Sequence, residues 1–131
     1  MVSHISTVAF EGIDTTPIDV QVQLTGGIIA FNIVGLADKA VSESKERVRS
    51  AIHALGLAIP AKRITVNLSP ADIVKEGSHF DLPIALALLI AMGVLPQDEM
   101  ENYVALGELS LDGNLLPIAG ALPAALHASS E

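Results

Sequence analysis

Residues 63–89 read RITVNLSPADIVKEGSHFDLPIALALL, and the hydrophobic period changes midway through this run. From Arg63 to Leu68 the apolar Ile64, Val66 and Leu68 alternate with Arg63, Thr65 and Asn67, the pattern of a strand with one wet face. "SPAD" breaks that period. From Leu82 onward Leu82, Ala85, Leu86 and Leu89 recur at helical spacing, which predicts a helix over about 82–92, closed by Gly93. Asp81 is expected at its N-cap, accepting the free N–H groups of the first turn. Pro83 falls in that turn, where a missing N–H costs little. A strand feeding a helix through a loop requires a fold that mixes the two.

Working outward, residues 4–10 read as a short strand ended by Glu11-Gly12. Residues 18–24, IDVQVQL, alternate cleanly, with Ile18, Val20, Val22 and Leu24 on one face. Thr25-Gly26-Gly27 is a turn, and IIAFNIV (28–34) is expected to return antiparallel to that strand. A long helix is predicted from about 37 to 55, with Val41, Ser44, Val48, Ala51, Ile52 and Leu55 as its inward stripe. Glu43 and Arg47, four apart, are expected to pair on its wet face. Gly56 is the natural C-cap. Beyond the second helix, 103–106 reads as a short strand, and Gly113-Asn114 turns into Leu115-Leu116. A third helix is expected from Ala119. The element order β-β-β-α-β-α-β-β-α describes an α+β fold of two layers, a mixed sheet with helices packed on it.

The bulk numbers fit one domain spanning residues 1–131. Half the residues are hydrophobic, while the aromatics are only Phe10, Phe31, Phe80 and Tyr103, so the core must be aliphatic. A net charge of -8 opposes a general affinity for phosphate backbones. The local exception is Lys45, Arg47, Arg49, Lys62 and Arg63, candidates for DNA or partner contacts. With no cysteine, disulfides, thiolate metal sites and cysteine nucleophiles are excluded. The N-terminus does not read as a signal peptide, and the near-apolar run 82–94 is too short to span a bilayer. The final LPAALHASSE reads as a helix without a closing cap, so the chain is expected to be part of a longer protein.

Lys75, Glu76, Ser78 and His79 bring four reactive side-chain types together ahead of the second helix. Adjacency alone does not activate Ser78, because a base must lie within hydrogen-bond reach of it. His4, His53, His79 and His127 show no metal-ligand spacing, and no phosphate loop of the G-x-x-x-x-G-K-[ST] type is present. Asp72, Glu76, Asp81, Glu108 and Asp112 are a weak candidate for a hard cation, without the spacing of a calcium loop.

Three segments carry a resemblance: FNIVGLADKAVSESKERVRSAI, the RITVNLSPADIVKEGSHFDLPIALALL run, and GELSLDGNLLPIAG. Together they closely resemble the magnesium-chelatase-like AAA+ family, in its competence-protein (ComM, YifB) group. The resemblance covers about residues 8–128. It implies an N-terminal domain ahead of an AAA+ ATPase module. The implied fold is that of the second domain of ribosomal protein S five, shared with the proteolytic domain of Lon. In Lon-type peptidases a serine at one helix mouth is activated by a lysine near the next. On this chain the serine position falls on His79 and the lysine position on Leu122, so the resemblance implies a peptidase-type fold without its dyad. Ser78 with Lys75 or His79 is the alternative, a cryptic peptidase. A purely structural scaffold is a third reading.

The resemblance further implies no cofactor in this domain, with ATP and magnesium used by the parent protein. The implied partners are the protein's own AAA+ module and neighbouring subunits of a hexameric ring, together with DNA. A cytoplasmic location without membrane contact is expected. The implied role is to support ring assembly and DNA engagement during uptake and recombination by branch migration.

Overall fold

The computed structural model describes residues 2–116. Strands β1 (Val2–Glu11) and β2 (Asp14–Thr25) form a long antiparallel hairpin. β3 (Ala30–Val34) leads into two short-spaced helices, α1 (Lys39–Ser42) and α2 (Ser44–Ala54). β4 (Arg63–Ser69) and α3 (Asp81–Ala91) follow, then a small antiparallel pair, β5 (Glu108–Leu109) with β6 (Leu115–Leu116). The main sheet has the order β1-β2-β4-β3. The α+β class and mixed sheet expected from the sequence are both present.

One topological expectation is corrected. β3 does not return beside β2. β4 lies between them, antiparallel to β2 and parallel to β3. The Gly26-Gly27 turn therefore swings the chain past an empty strand position that β4 later fills, with Val22 opposite Val66 and Ile33 opposite Val66 on its other side.

The core lies between one sheet face and the helices. Ile5, Ile18, Val20, Val22, Ile64, Val66, Leu68 and Phe31 point from the strands, and Val48, Ile52, Ile84 and Leu88 meet them from α2 and α3. Ser3 reaches the same layer, and its hydroxyl donates to the Ala87 carbonyl at 2.6 Å, pinning β1 to α3. The opposite face is polar: the Asn67 amide donates to Gln21, and the Gln21 amide to Asp19.

The predicted helix over 37–55 is broken at Glu43, which closes α1 and precedes α2. Asp38 caps α1 through the Val41 N–H at 2.8 Å. The stripe Val41, Ser44, Val48, Ala51 and Ile52 is buried as expected, but Leu55 is 64% exposed, because α2 ends at Ala54 and the chain turns away at Gly56. Of the short strand expected at 103–106, only Val104 bridges, to Ser6 of β1. The third helix and Leu122 lie outside the described residues.

Candidate functional site

The loop before α3 is built on Lys75. Its backbone N–H donates to the Leu36 carbonyl and its own carbonyl accepts from Asp38, both at 2.9 Å, which ties the loop to the end of β3. The side chain turns inward and is fully buried. Its ammonium donates to the Gly35 carbonyl at 2.6 Å and to the Pro70 carbonyl. Burial pushes the amine below its ordinary pKa, and the charge of Asp72 opposes that shift. A lysine on two backbone carbonyls acts as an internal staple between β3 and the loop.

His79 is also buried, with its ring against Phe10 and Phe80 at centroid distances of 4.7 and 4.3 Å. Nε2 lies 2.6 Å from the Val8 carbonyl, which can only accept, so Nε2 carries the proton. Burial pushes the imidazole below its ordinary pKa, against the Val8 hydrogen bond and the charge of Asp81. A base with a lowered folded pKa contributes stability that is present above its unfolded value, about 6.5, and is lost as pH falls through the folded one. Urea titrations of the protein and of His79→Gln should therefore diverge in slope below about pH 6.5. The His79 protein should lose up to about 1.4 kcal/mol more per pH unit. Parallel pH profiles would contradict a buried neutral imidazole.

Between these two groups Ser78 is half-buried. Among the described residues its hydroxyl makes no hydrogen bond to Lys75 or His79, both of which are held by backbone carbonyls.

Asp81 departs from its expected role. It is the first residue of α3, the cap position belongs to Phe80, and no side chain caps the helix. The carboxylate is fully buried and accepts from the Ser44 hydroxyl at 2.5 Å and from Arg47 Nε at 2.6 Å. It also accepts from Arg47 Nη2 at 3.1 Å and from the Leu109 N–H at 3.0 Å. One carboxylate thus joins α2, α3 and β5. Its hydrogen bonds hold the Arg47 guanidinium still more firmly protonated than usual. The Glu43–Arg47 pair is corrected accordingly: Arg47 leaves the helix surface for a desolvated partner that binds it at two nitrogens. A signal was present in the sequence, since Ser44 is the polar member of an otherwise apolar stripe and Arg47 stands one turn beyond it.

The five-residue basic group is divided by the fold. Arg47 is held by Asp81, and Arg49 stands 5.7 Å from the Phe31 ring centre and 3.5 Å from Glu46. Lys45 and Arg63 line a groove with Phe31, Asn32, Ser42 and Thr65, and Lys62 is exposed beside Arg63. The acidic group is not assembled. Asp81 is neutralised by Arg47, Asp72 and Glu76 are exposed, and no cluster of three or more potential metal ligands occurs among the described residues. Nor is any helix among them long and apolar enough to cross a membrane.

This helix mouth lies within a known sequence pattern: residues 20–131 match the family model for subunit ChlI of magnesium chelatase. The chain belongs to that family. Within the magnesium-chelatase family it is 44% identical over 126 residues to the uncharacterised protein YifB of Escherichia coli K12, covering 96% of this chain and 25% of the relative. It is 43% identical over 120 residues to the competence protein ComM of Haemophilus influenzae, covering 92% and 24%. An uncharacterised protein of Mycobacterium tuberculosis H37Rv is 41% identical over 125 residues, covering 95% and 25%. The chain thus spans about a quarter of the length of the curated relatives it matches.

Proposed function

We propose that this chain is a non-catalytic N-terminal accessory domain of a magnesium-chelatase-like AAA+ ATPase. It supports assembly of the ATPase ring and engages DNA during uptake and recombination. The observation that carries the reading is the state of the helix mouth. The two groups that could activate Ser78, the Lys75 amine and the His79 imidazole, are both buried and hydrogen-bonded to backbone carbonyls. The Lys75 ammonium donates to carbonyls, the His79 Nε2–H donates to the Val8 carbonyl, and neither side chain is hydrogen-bonded to the Ser78 hydroxyl, the contact that activation requires. The Lon-like topology and the loss of its dyad, with Leu122 at the lysine position, belong to this same reading. So do a cytoplasmic location and the use of ATP and magnesium by an ATPase module of the whole protein.

In this role residues 1–131 act through surface, with Lys45, Lys62 and Arg63 available for contacts while Arg47 keeps the domain together. Deleting the domain from the whole ATPase should reduce ATP-driven strand exchange, or the fraction of assembled rings, at least tenfold. Unchanged rings and unchanged strand movement would refute the accessory role. Labelling of Ser78 by a fluorophosphonate probe would instead establish the peptidase reading.

A further inference from the structure

Each of the seven lysine and arginine side chains has a definite place. Lys75 is buried on carbonyls, Arg47 is held by Asp81, and Arg49 stands over Phe31 beside Glu46. Of the remaining four, Lys45, Lys62 and Arg63 border β3, and Lys39 opens α1 beyond it. Ala30, the first residue of β3, donates to the Lys62 carbonyl and is paired with Arg63. Lys45 and Arg63 share a groove of about 440 Å³ that no carboxylate lines. Lys39 follows the far end of the strand. β3 is an edge strand, and among the described residues its outer side pairs with no other strand. Exposed apolar residues flank it, Ile28 (83%) and Ile29 before it, Val34 and Leu36 at its end.

The other edge of the sheet has the opposite sign. The segment 97–104 runs along β1: the Gln97 side chain bonds both the N–H and the carbonyl of His4, and Val104 bridges Ser6. It carries exposed Asp98, Glu99 and Glu101. Beside it lies a second groove, of about 550 Å³, lined by Asp19, Glu101 and Tyr103 and by no lysine or arginine. Thr7 also lines it, and the Thr7 hydroxyl is a buried side-chain polar atom without a hydrogen-bond partner. Tyr103, 66% exposed, supplies an apolar surface there.

We infer that copies of this chain associate head to tail, the basic, apolar-flanked β3 edge of one copy seating on the acidic β1-side edge of the next. Two copies related by a two-fold axis would set like charge on like charge, which electrostatic complementarity disfavours. A contact between two different patches leaves one of each free at the ends, so it continues into a ring or a filament. At a net charge of -8, copies repel one another on average, and a local match of this kind offsets that repulsion. The inference rests on the assembly role proposed above and names the surfaces for it.

Sedimentation analysis of the chain over a range of concentrations should show self-association that weakens as salt rises. Reversing the basic edge (Lys45→Glu with Arg63→Glu) or the acidic edge (Glu99→Lys with Glu101→Lys) should each weaken it at least tenfold. Mixing the two variants should restore association, since each then meets an edge of opposite charge. The neutral pair Lys45→Gln with Arg63→Gln should give an intermediate loss. A wild-type chain that stays monomeric, or edge variants that assemble as well as wild type, would overturn the inference. So would a mixture that stays apart, or a basic-edge reversal that removes only DNA binding. A whole ATPase indifferent to loss of this domain would sink the proposed function while leaving this self-association intact.

Discussion

Replacing Asp81 with alanine is expected to lower the free energy of unfolding by about 3–5 kcal/mol, the range for removing one partner of a buried ion pair. A domain of this size is stable by only about 5–15 kcal/mol, so the variant would be near its unfolding threshold at ordinary temperature. The magnitude separates two roles. An N-cap carboxylate is worth about 0.5–2 kcal/mol. Asp81 instead accepts four hydrogen bonds, from Ser44, from two nitrogens of Arg47 and from Leu109, and is fully buried. Removing it leaves the Ser44 hydroxyl without its acceptor, a guanidinium only 22% exposed, and a buried N–H at the start of β5.

Urea unfolding followed by circular dichroism measures the difference. A loss below about 2 kcal/mol would mean that Asp81 is a cap after all. Arg47→Met alone should be nearly as damaging, because it strands a fully buried carboxylate. The pair Arg47→Met with Asp81→Leu should recover much of the loss, since apolar replacement of both members removes the desolvation cost along with the attraction. That recovery distinguishes an ion pair from a general intolerance of change at either position.

Asp81 also shows where local sequence stops being informative. The alternation of β2 and β4 and the stripe from Val41 to Ile52 were legible because each is a contest between one face and the other within a single element. The same holds for the helix after Asp81, whose start and end differ from the expected ones by a single residue. Pairing of strands is a different matter. The Gly26-Gly27 turn and the apolar β3 are compatible with a hairpin, and nothing near them encodes that a strand thirty residues later takes the position between. Asp81 lies at a helix start, which suggests a cap, while its partners Ser44 and Arg47 are 37 and 34 residues away.

In sequence Lys75 stands only as one of four reactive side chains ahead of the helix, and nothing beside it marks a buried amine, because lysine is normally exposed. Its acceptor at Gly35 is 40 residues distant. The basic group was legible as a cluster in sequence, but its division into structural and free members depends on those distant contacts. Asp81 and Lys75 are polar and buried, and burial of a polar group is decided by a partner that no periodicity reveals.

Gly35→Ala should cost about 4 kcal/mol, the second large effect. A Cβ built at this position would lie 2.3 Å from the Leu68 carbonyl oxygen and 3.1 Å from the Leu68 carbonyl carbon and nitrogen. The obstacle is backbone of the central strand β4, which cannot turn aside as a side-chain tip would. Gly35 also has φ +109, a region essentially closed to residues with a side chain, which adds about 1–3 kcal/mol. Nor can Gly35 itself retreat easily, because its carbonyl holds the Lys75 ammonium and β3 is paired along β4.

Gly56 supplies the control. It too has a positive φ, +80, but an added Cβ there meets nothing within 4 Å. Gly56→Ala should therefore show the conformational cost alone, about 1–2 kcal/mol. The excess at Gly35, read from the two urea midpoints at equal slope, measures how closely β3 and β4 approach. If the two substitutions cost the same, the close contact at Leu68 is not real, and the staple from Lys75 to Gly35 loses the rigid frame that keeps that amine from reaching Ser78.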